Sequence, residues 1–255
     1  MEPGCTNALI AAYCNNPCEV LPNALWKTLA VLSTYKTAYS IQDSEVVSLK
    51  IWNEEELLLY WTKNRYLFTI SGKYLNKVAF MIIHQDYLGH VPRERFSSQK
   101  PYFRLIHKGF IPAAAVPPGY HITEVDVDRE AGRVSRFLAQ CYLHLRPSAE
   151  TVKPWAAHPV FDETLWIWVL HQDTPVGLGI AERDTTIHEG SLEWIQVLPA
   201  YRGRGIGRCI VVELLKRLQQ HVVFTTVSGE YTQTLKRFYE SCGFSGKDMW
   251  WILTK

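Results

Sequence analysis

The chain has 255 residues, 47% hydrophobic and 13% aromatic, with 27 Lys and Arg against 25 Asp and Glu for a formal net charge of +2. That length accommodates two modest domains or one large one, and so many aromatics with so little net charge exclude a disordered chain. The same balance argues against nucleic acid or an anionic membrane surface as partner. No apolar run reaches the length of a membrane span, and Val78 to Ile83 reads as one buried strand. The start Met1-Glu2-Pro3-Gly4 lacks the basic and then apolar order of an export signal, so the expected location is cytoplasmic. Cys5, Cys14, Cys18, Cys141, Cys209 and Cys242 are expected as free thiols of a reducing compartment, with no metal site among them.

In chain order, Ala24 to Tyr39 reads as a helix and Val46 to Trp52 as a strand. Glu54 to Thr62 reads as a second helix, Tyr66 to Ile70 and Val78 to His84 as strands, and Pro101 to Ile106 as a closing strand. The pattern is a smaller α/β domain over residues 1–110 with no glycine-rich strand-to-helix junction. No repeat is strong enough to name a duplication, and a degenerate acyltransferase-like role stays open for it. Residues 111–118, rich in proline and alanine, read as a linker.

Residues 119–255 are more legible. Tyr120 to Val127 is expected as a strand and Arg129 to Leu145 as an amphipathic helix with Val134, Phe137, Leu138, Cys141, Tyr142 and Leu145 on one face. Ser148 caps a short helix toward Trp155. Leu165 to Leu170 and Val176 to Glu182 form a hairpin about Gln172-Asp173-Thr174-Pro175, followed by a strand at Ser191 to Leu198. A helix from Gly205 to Gln220, a strand at Val222 to Val227, a helix at Thr232 to Cys242 and a strand at Met249 to Leu253 complete an α/β fold with a mixed sheet flanked by helices.

Between strand and helix stands Arg202-Gly203-Arg204-Gly205-Ile206-Gly207. Glycines let successive backbone N–H groups converge, and the helix start adds free donors and a positive dipole end, which together suit a diphosphate. Arg202, Arg204 and Arg208 add charge. A Walker loop would need Gly-Lys-Ser/Thr, and a dinucleotide fingerprint would need a third glycine where Arg208 stands; neither is present.

Val197-Leu198-Pro199-Ala200-Tyr201-Arg202-Gly203-Arg204-Gly205-Ile206-Gly207 resembles the signature of the GNAT superfamily of N-acetyltransferases, and Phe238-Tyr239-Glu240-Ser241-Cys242-Gly243-Phe244 resembles its second block. The resemblance covers about residues 119–255. It implies acetyl-CoA as co-substrate and direct acetyl transfer to an amine of a small molecule or peptide, in a monomer or homodimer. It also implies a bulge that splays the strand Leu192 to Leu198 from its neighbour, with Ile195 and Val197 as backbone contacts to the pantetheine arm and an N–H near Val197 facing the oxyanion. Thr232 stands where many relatives carry an asparagine that contacts the coenzyme.

An alkyl amine with a pKa of about 10 arrives protonated, so a base must take its proton. Strict alternation puts Ser191, Glu193, Ile195 and Val197 on one face, which makes Glu193 the candidate base, with His188 and Glu189 as weaker alternatives. The other reading of Glu193 is an ordinary exposed carboxylate. Tyr239 matches the tyrosine that in the family protonates the leaving thiolate; its other reading is a core aromatic beside Phe238. Trp166, Trp168, Trp194, Trp250 and Trp251 are either aromatic walls for a cationic amine or sheet core. Besides the enzyme, a non-catalytic acyl-CoA-binding or sensing module remains open. The presence of both Glu193 and Tyr239 favours the enzyme.

Overall fold

The computed structural model describes residues 3–142 and 146–255. They form two compact units, Met1–Ile106 with Ser228–Arg237 and Ser245–Lys255, and His107–Val227 with Phe238–Phe244. The last strand and the start of the last helix therefore pack with the N-terminal unit, although they follow the linker in sequence.

The elements of the first stretch are α1 (Pro3–Asn15), α2 (Pro17–Val20), α3 (Leu25–Val31), β1 (Lys36–Gln42), β2 (Glu45–Trp52), β3 (Glu56–Thr62), α4 (Gly72–Lys77), β4 (Phe80–His84) and β5 (Ser98–His107). The second comprises β6 (Tyr120–Glu124), α5 (Val127–Cys141), α6 (Ala149–Ala156), β7 (Trp166–His171), β8 (Thr174–Asp184), β9 (Glu189–Val197) and α7 (Ile206–Leu218). β10 (Phe224–Glu230), α8 (Gln233–Ser241) and β11 (Ser245–Thr254) close the chain.

In the first unit the strands run in the order β1-β2-β3-β4-β11-β5, and β11 lies antiparallel to both β4 and β5. Three expectations fail here. Glu54 to Thr62 is not a helix: Leu57, Leu59 and Trp61 are buried at period two, so the segment is β3. Asn53 turns the chain into it, its side-chain oxygen accepting from the N–H groups of Glu55 (2.9 Å) and Glu56 (2.8 Å). The helix expected at Ala24 to Tyr39 stops at Val31, and from Lys36 the chain pairs with β2. Tyr66 to Ile70 is not a strand: Asn64 caps a 3₁₀ turn at Arg65–Leu67, and Phe68 then dips into the core. α1 went unread because its alanines and asparagines draw no clear apolar stripe, yet Ala8, Leu9, Ala12 and Tyr13 are all buried.

The second unit follows its expected order closely, with strands arranged β10-β9-β8-β7-β6. Asp126 caps α5, accepting from Arg129 N–H at 3.2 Å, so the helix starts two residues early; Leu145, expected on its apolar face, lies outside the described residues. Ser148 caps α6 as expected. The β7–β8 hairpin turns through Gln172 and Asp173, both with positive φ (48° and 62°), as a two-residue connection requires. Its core joins α5 and α6 to the sheet through Val134, Phe137, Leu138, Val152, Trp166 and Trp168.

On the other face α7 presses close to β8. A methyl at Gly179 would collide with Ile210 and crowd Ile167 and Leu214, both at 3.1 Å. Gly179→Ala is expected to destabilise the protein by about 2 kcal/mol through overpacking, read as a lower urea midpoint with an unchanged m-value.

Candidate active site

β9 positions the site, and its backbone contains one extra residue. The β8–β9 ladder runs from Gly177↔Val197 to Ile180↔Trp194 and then steps to Ala181↔Leu192, leaving Glu193 as a bulge. Parallel pairing with β10 ends at the same place, Leu192↔Val227. Strict alternation therefore fails. Gly190 packs against Leu218 of α7, so Leu192 shares the α7 side; beyond the bulge Val197 is on that side too, beside Gly207, while Trp194 and Leu198 pack with α5. Ser191, expected beside Glu193, instead faces the α5 side, its hydroxyl donating to Glu182 at 3.2 Å. The bulge thus removes the alternation argument for Glu193 while setting that residue at the branch point of the sheet.

Past the bulge, Leu198 N–H donates to Val176 C=O at 3.0 Å. Residues two apart aim their backbone groups to the same side, so Val197 and Ile195 aim theirs away from β8. The Val197 carbonyl is taken by Arg202 Nε at 3.1 Å.

The loop leads directly into α7. Gly203 (φ 78°) and Gly205 (φ 83°) are left-handed, and Gly205 caps α7 with no side-chain acceptor, so the first-turn amides face outward from bare backbone. Neither glycine is required by space: a methyl at Gly203 would meet nothing within 4 Å, and at Gly205 only Pro117 at 3.9 Å. Gly207 sits between Phe238 and Val197, where an added Cβ would lie 3.4 Å and 3.8 Å from their side chains, and Ile206 is buried in the core. The three arginines divide. Arg202 and Arg204 are exposed, with Arg204 over the Tyr201 ring and bonded to Tyr120 Oη (3.3 Å) and Ala200 C=O (3.2 Å). Arg208 binds the last turn of α8, donating to Ser241 carbonyl (2.6 Å) and hydroxyl (3.2 Å), where the helix dipole is negative.

Tyr239 is buried, with its ring edge-on to Phe238 and Phe244. Burial above all, and then the neighbouring Tyr142, Cys242 and Glu193, push its phenol above the usual tyrosine range. Glu193 and Tyr239 are thus brought close enough to interact. Tyr142 joins this cluster, although the sequence marks it only as part of an apolar helix face. It stands edge-on to Trp194 at 5.8 Å and takes a hydrogen bond from the Gln196 amide. The signal was available: a hydroxyl on an otherwise apolar helix face.

The remaining candidates fall elsewhere. His188 precedes β9 and Glu189 begins it, nine and eight residues before Val197 and so roughly 26 Å or more from the loop end. Glu189 is buried and accepts from Thr226 at 2.5 Å. Thr232 caps α8, its hydroxyl accepting from Leu235 N–H at 3.1 Å. Trp166, Trp168 and Trp250 are core residues, each at most 2% exposed. Trp194 is partly exposed and stacks on Trp155 (5.4 Å, 15°), while Trp251, in the first unit, carries Arg93 over its ring. All six cysteines are free. Cys141 is pushed up to about 11 by burial, so it is a neutral thiol rather than a nucleophile. Among the described residues no cluster of His, Cys, Asp or Glu could hold a metal, and no helix is long and apolar enough to cross a membrane.

Residues 163–246 match the family model of the acetyltransferase (GNAT) domain. No curated protein matches the chain in sequence. Among solved structures, a GCN5-related N-acetyltransferase from Sphaerobacter thermophilus aligns over 98% of this chain and 91% of its own, with a TM-score of 0.70 at 14% identity. A GNAT-family acetyltransferase from Colwellia psychrerythraea aligns over 100% and 98%, with a TM-score of 0.67 at 12% identity. A tandem GNAT protein from the clavulanic acid biosynthesis pathway aligns over 100% and 95%, with a TM-score of 0.58 at 13% identity. These likenesses establish a shared fold.

Thr232→Ala is expected to cost about 1 kcal/mol of stability by removing the cap, and Thr232→Ser to retain most of it; denaturant unfolding of the two variants checks this.

Proposed function

We propose that the second unit, which holds most of the 163–246 stretch that matches the family model of the acetyltransferase (GNAT) domain, transfers an acetyl group from acetyl-CoA directly to a primary amine of a small molecule or peptide. The observation that carries this reading is the coincidence at Glu193: pairing between β9 and β10 stops where β9 bulges, and the strand then runs to a loop of bare amides. The first-turn amides of α7, with Arg202, Arg204 and Ile206 around them, suit the pyrophosphate. The backbone of Ile195 and Val197, aimed away from β8, suits the amides of the pantetheine arm. Four residues separate Val197 from Glu193, which puts the bulge about 13 Å up the strand from the loop.

In this reading Glu193, directly or through water, takes the proton of the arriving ammonium. The amine nitrogen attacks the thioester carbon and the C–N bond forms; as the C–S bond breaks, the attacking nitrogen gives up its second proton, through water, to the departing thiolate, leaving a neutral amide and the free thiol. The N–H near Val197 steadies the oxyanion. Tyr239 faces the departing sulfur. Its raised phenol stays protonated but is a weaker acid than a thiol of pKa about 8.5, so it acts by hydrogen bonding to the sulfur rather than by surrendering its proton outright. Arg208 anchors α8 and so holds Tyr239 in place. The partly exposed pair Trp155 and Trp194 suits the acceptor side, because stacked indoles attract a cationic amine.

Free-thiol release from acetyl-CoA across a panel of amines tests the enzyme against a module that only binds. Coenzyme binding without thiol release for any amine would favour the module. Tyr239→Phe is expected to lower kcat about tenfold or more with little change in coenzyme Kd, and Glu193→Gln to lower kcat. Tyr239 itself should add no alkaline limb below pH of about 10, since its pKa lies above the ordinary phenol value.

A further inference from the structure

The first unit repeats the arrangement that opens the second. β3 lies antiparallel to β2 and parallel to β4, as β9 lies antiparallel to β8 and parallel to β10. The β2–β3 ladder steps from Ile51↔Leu59 to Trp52↔Leu57 and leaves Leu58 as a bulge, just as Glu193 is left between Leu192 and Trp194. Parallel pairing ends one residue before the bulge in both cases, at Leu57↔Met81 and at Leu192↔Val227. Five positions beyond the paired leucine stand Thr62 in one unit and Val197 in the other. Each strand then leads through a 3₁₀ turn, Arg65–Leu67 or Pro199–Tyr201, into a helix that precedes the parallel strand.

The contents of the opening differ at every functional position. Leu58 replaces the carboxylate of Glu193 and accepts no proton. α4 has six residues and is capped by Ser71, whose hydroxyl accepts from Tyr74 N–H at 3.3 Å, where α7 starts at an uncapped left-handed glycine. The Tyr87 hydroxyl accepts from Thr62 N–H at 3.2 Å and donates to Thr62 C=O at 2.9 Å. One phenol thus satisfies both backbone groups at the counterpart of Val197. Its ring stacks on Phe68 (4.6 Å, 14°), which in turn meets Tyr60 at 4.5 Å, and Phe68 and Tyr87 are both buried.

We infer that the first unit is a second copy of the thioester-binding half in which Tyr87, backed by Phe68, fills the cleft where a pantetheine arm would lie. The inference rests on the reading of the second unit as the coenzyme site. The chain then takes one coenzyme, and the first unit neither binds nor turns over a thioester.

Calorimetry of the full chain with CoA, paired with amide exchange at Thr62, tests this. The expected results are one equivalent of CoA, lost in Gly205→Val and kept in Tyr87→Phe. Exchange at Thr62 should be about tenfold faster in Tyr87→Phe, the loss of one hydrogen bond. Tyr87→Gly, if folded, should gain a second, weaker equivalent of CoA. Two equivalents in the unaltered chain, or one that survives Gly205→Val, would overturn the inference while leaving a coenzyme protein. Unchanged Thr62 exchange in Tyr87→Phe would overturn it as well. Zero equivalents would instead remove the reading of the second unit on which it rests.

Discussion

The hydrogen bond from Leu198 N–H to Val176 C=O fixes the parity of β9, and the site depends on that parity. With Leu198 turned to β8, Val197 and Ile195 must turn their backbone groups the other way. The same hairpin contains the bulge at Glu193, so the strand changes parity at the point where its parallel neighbour departs. A ladder without the extra residue would exchange the faces of every side chain beyond it, sending Trp194 toward α7 and Val197 into the α5 core. One inserted residue therefore sets both the packing of these side chains and the direction of the backbone groups beyond it.

Second-half helices and turns were readable because their signals are local. Ile206, Ile210, Leu214 and Leu218 repeat at helical spacing, Ser148 is a cap, and Gln172-Asp173 is a hairpin turn. The glycine-rich loop was readable for the same reason, since positive φ selects its residues. The bulge was not, because it is a property of pairing between two strands. The alternation that singles out Glu193 in the sequence is thus an assumption the structure breaks.

The first half shows the opposite case. Three glutamates followed by three leucines satisfy a helix start as well as a strand, and only the burial of Leu57, Leu59 and Trp61 decides between them. Its likeness to the second half lies in register and connection rather than in residue identity, so no sequence repeat marks it. Of the two readings open to the tryptophans, the core holds for three. Of the tryptophans considered for the acceptor, Trp166, Trp168 and Trp250 are core, and the accessible pair includes Trp155, which had been read only as the end of a short helix.

Gly203 and Gly205 have open space around the positions a Cβ would take, so what confines them is torsional. The loop is thus indifferent to bulk at those two points and selective for handedness. A D-amino acid introduced there by chemical synthesis would sit comfortably where its mirror image strains the chain, and asparagine, which tolerates this region best among the remaining L-residues, is the least disruptive natural replacement. Mirror-image substitution therefore offers a way to add a side chain beside the first-turn amides of α7 without bending the backbone that presents them.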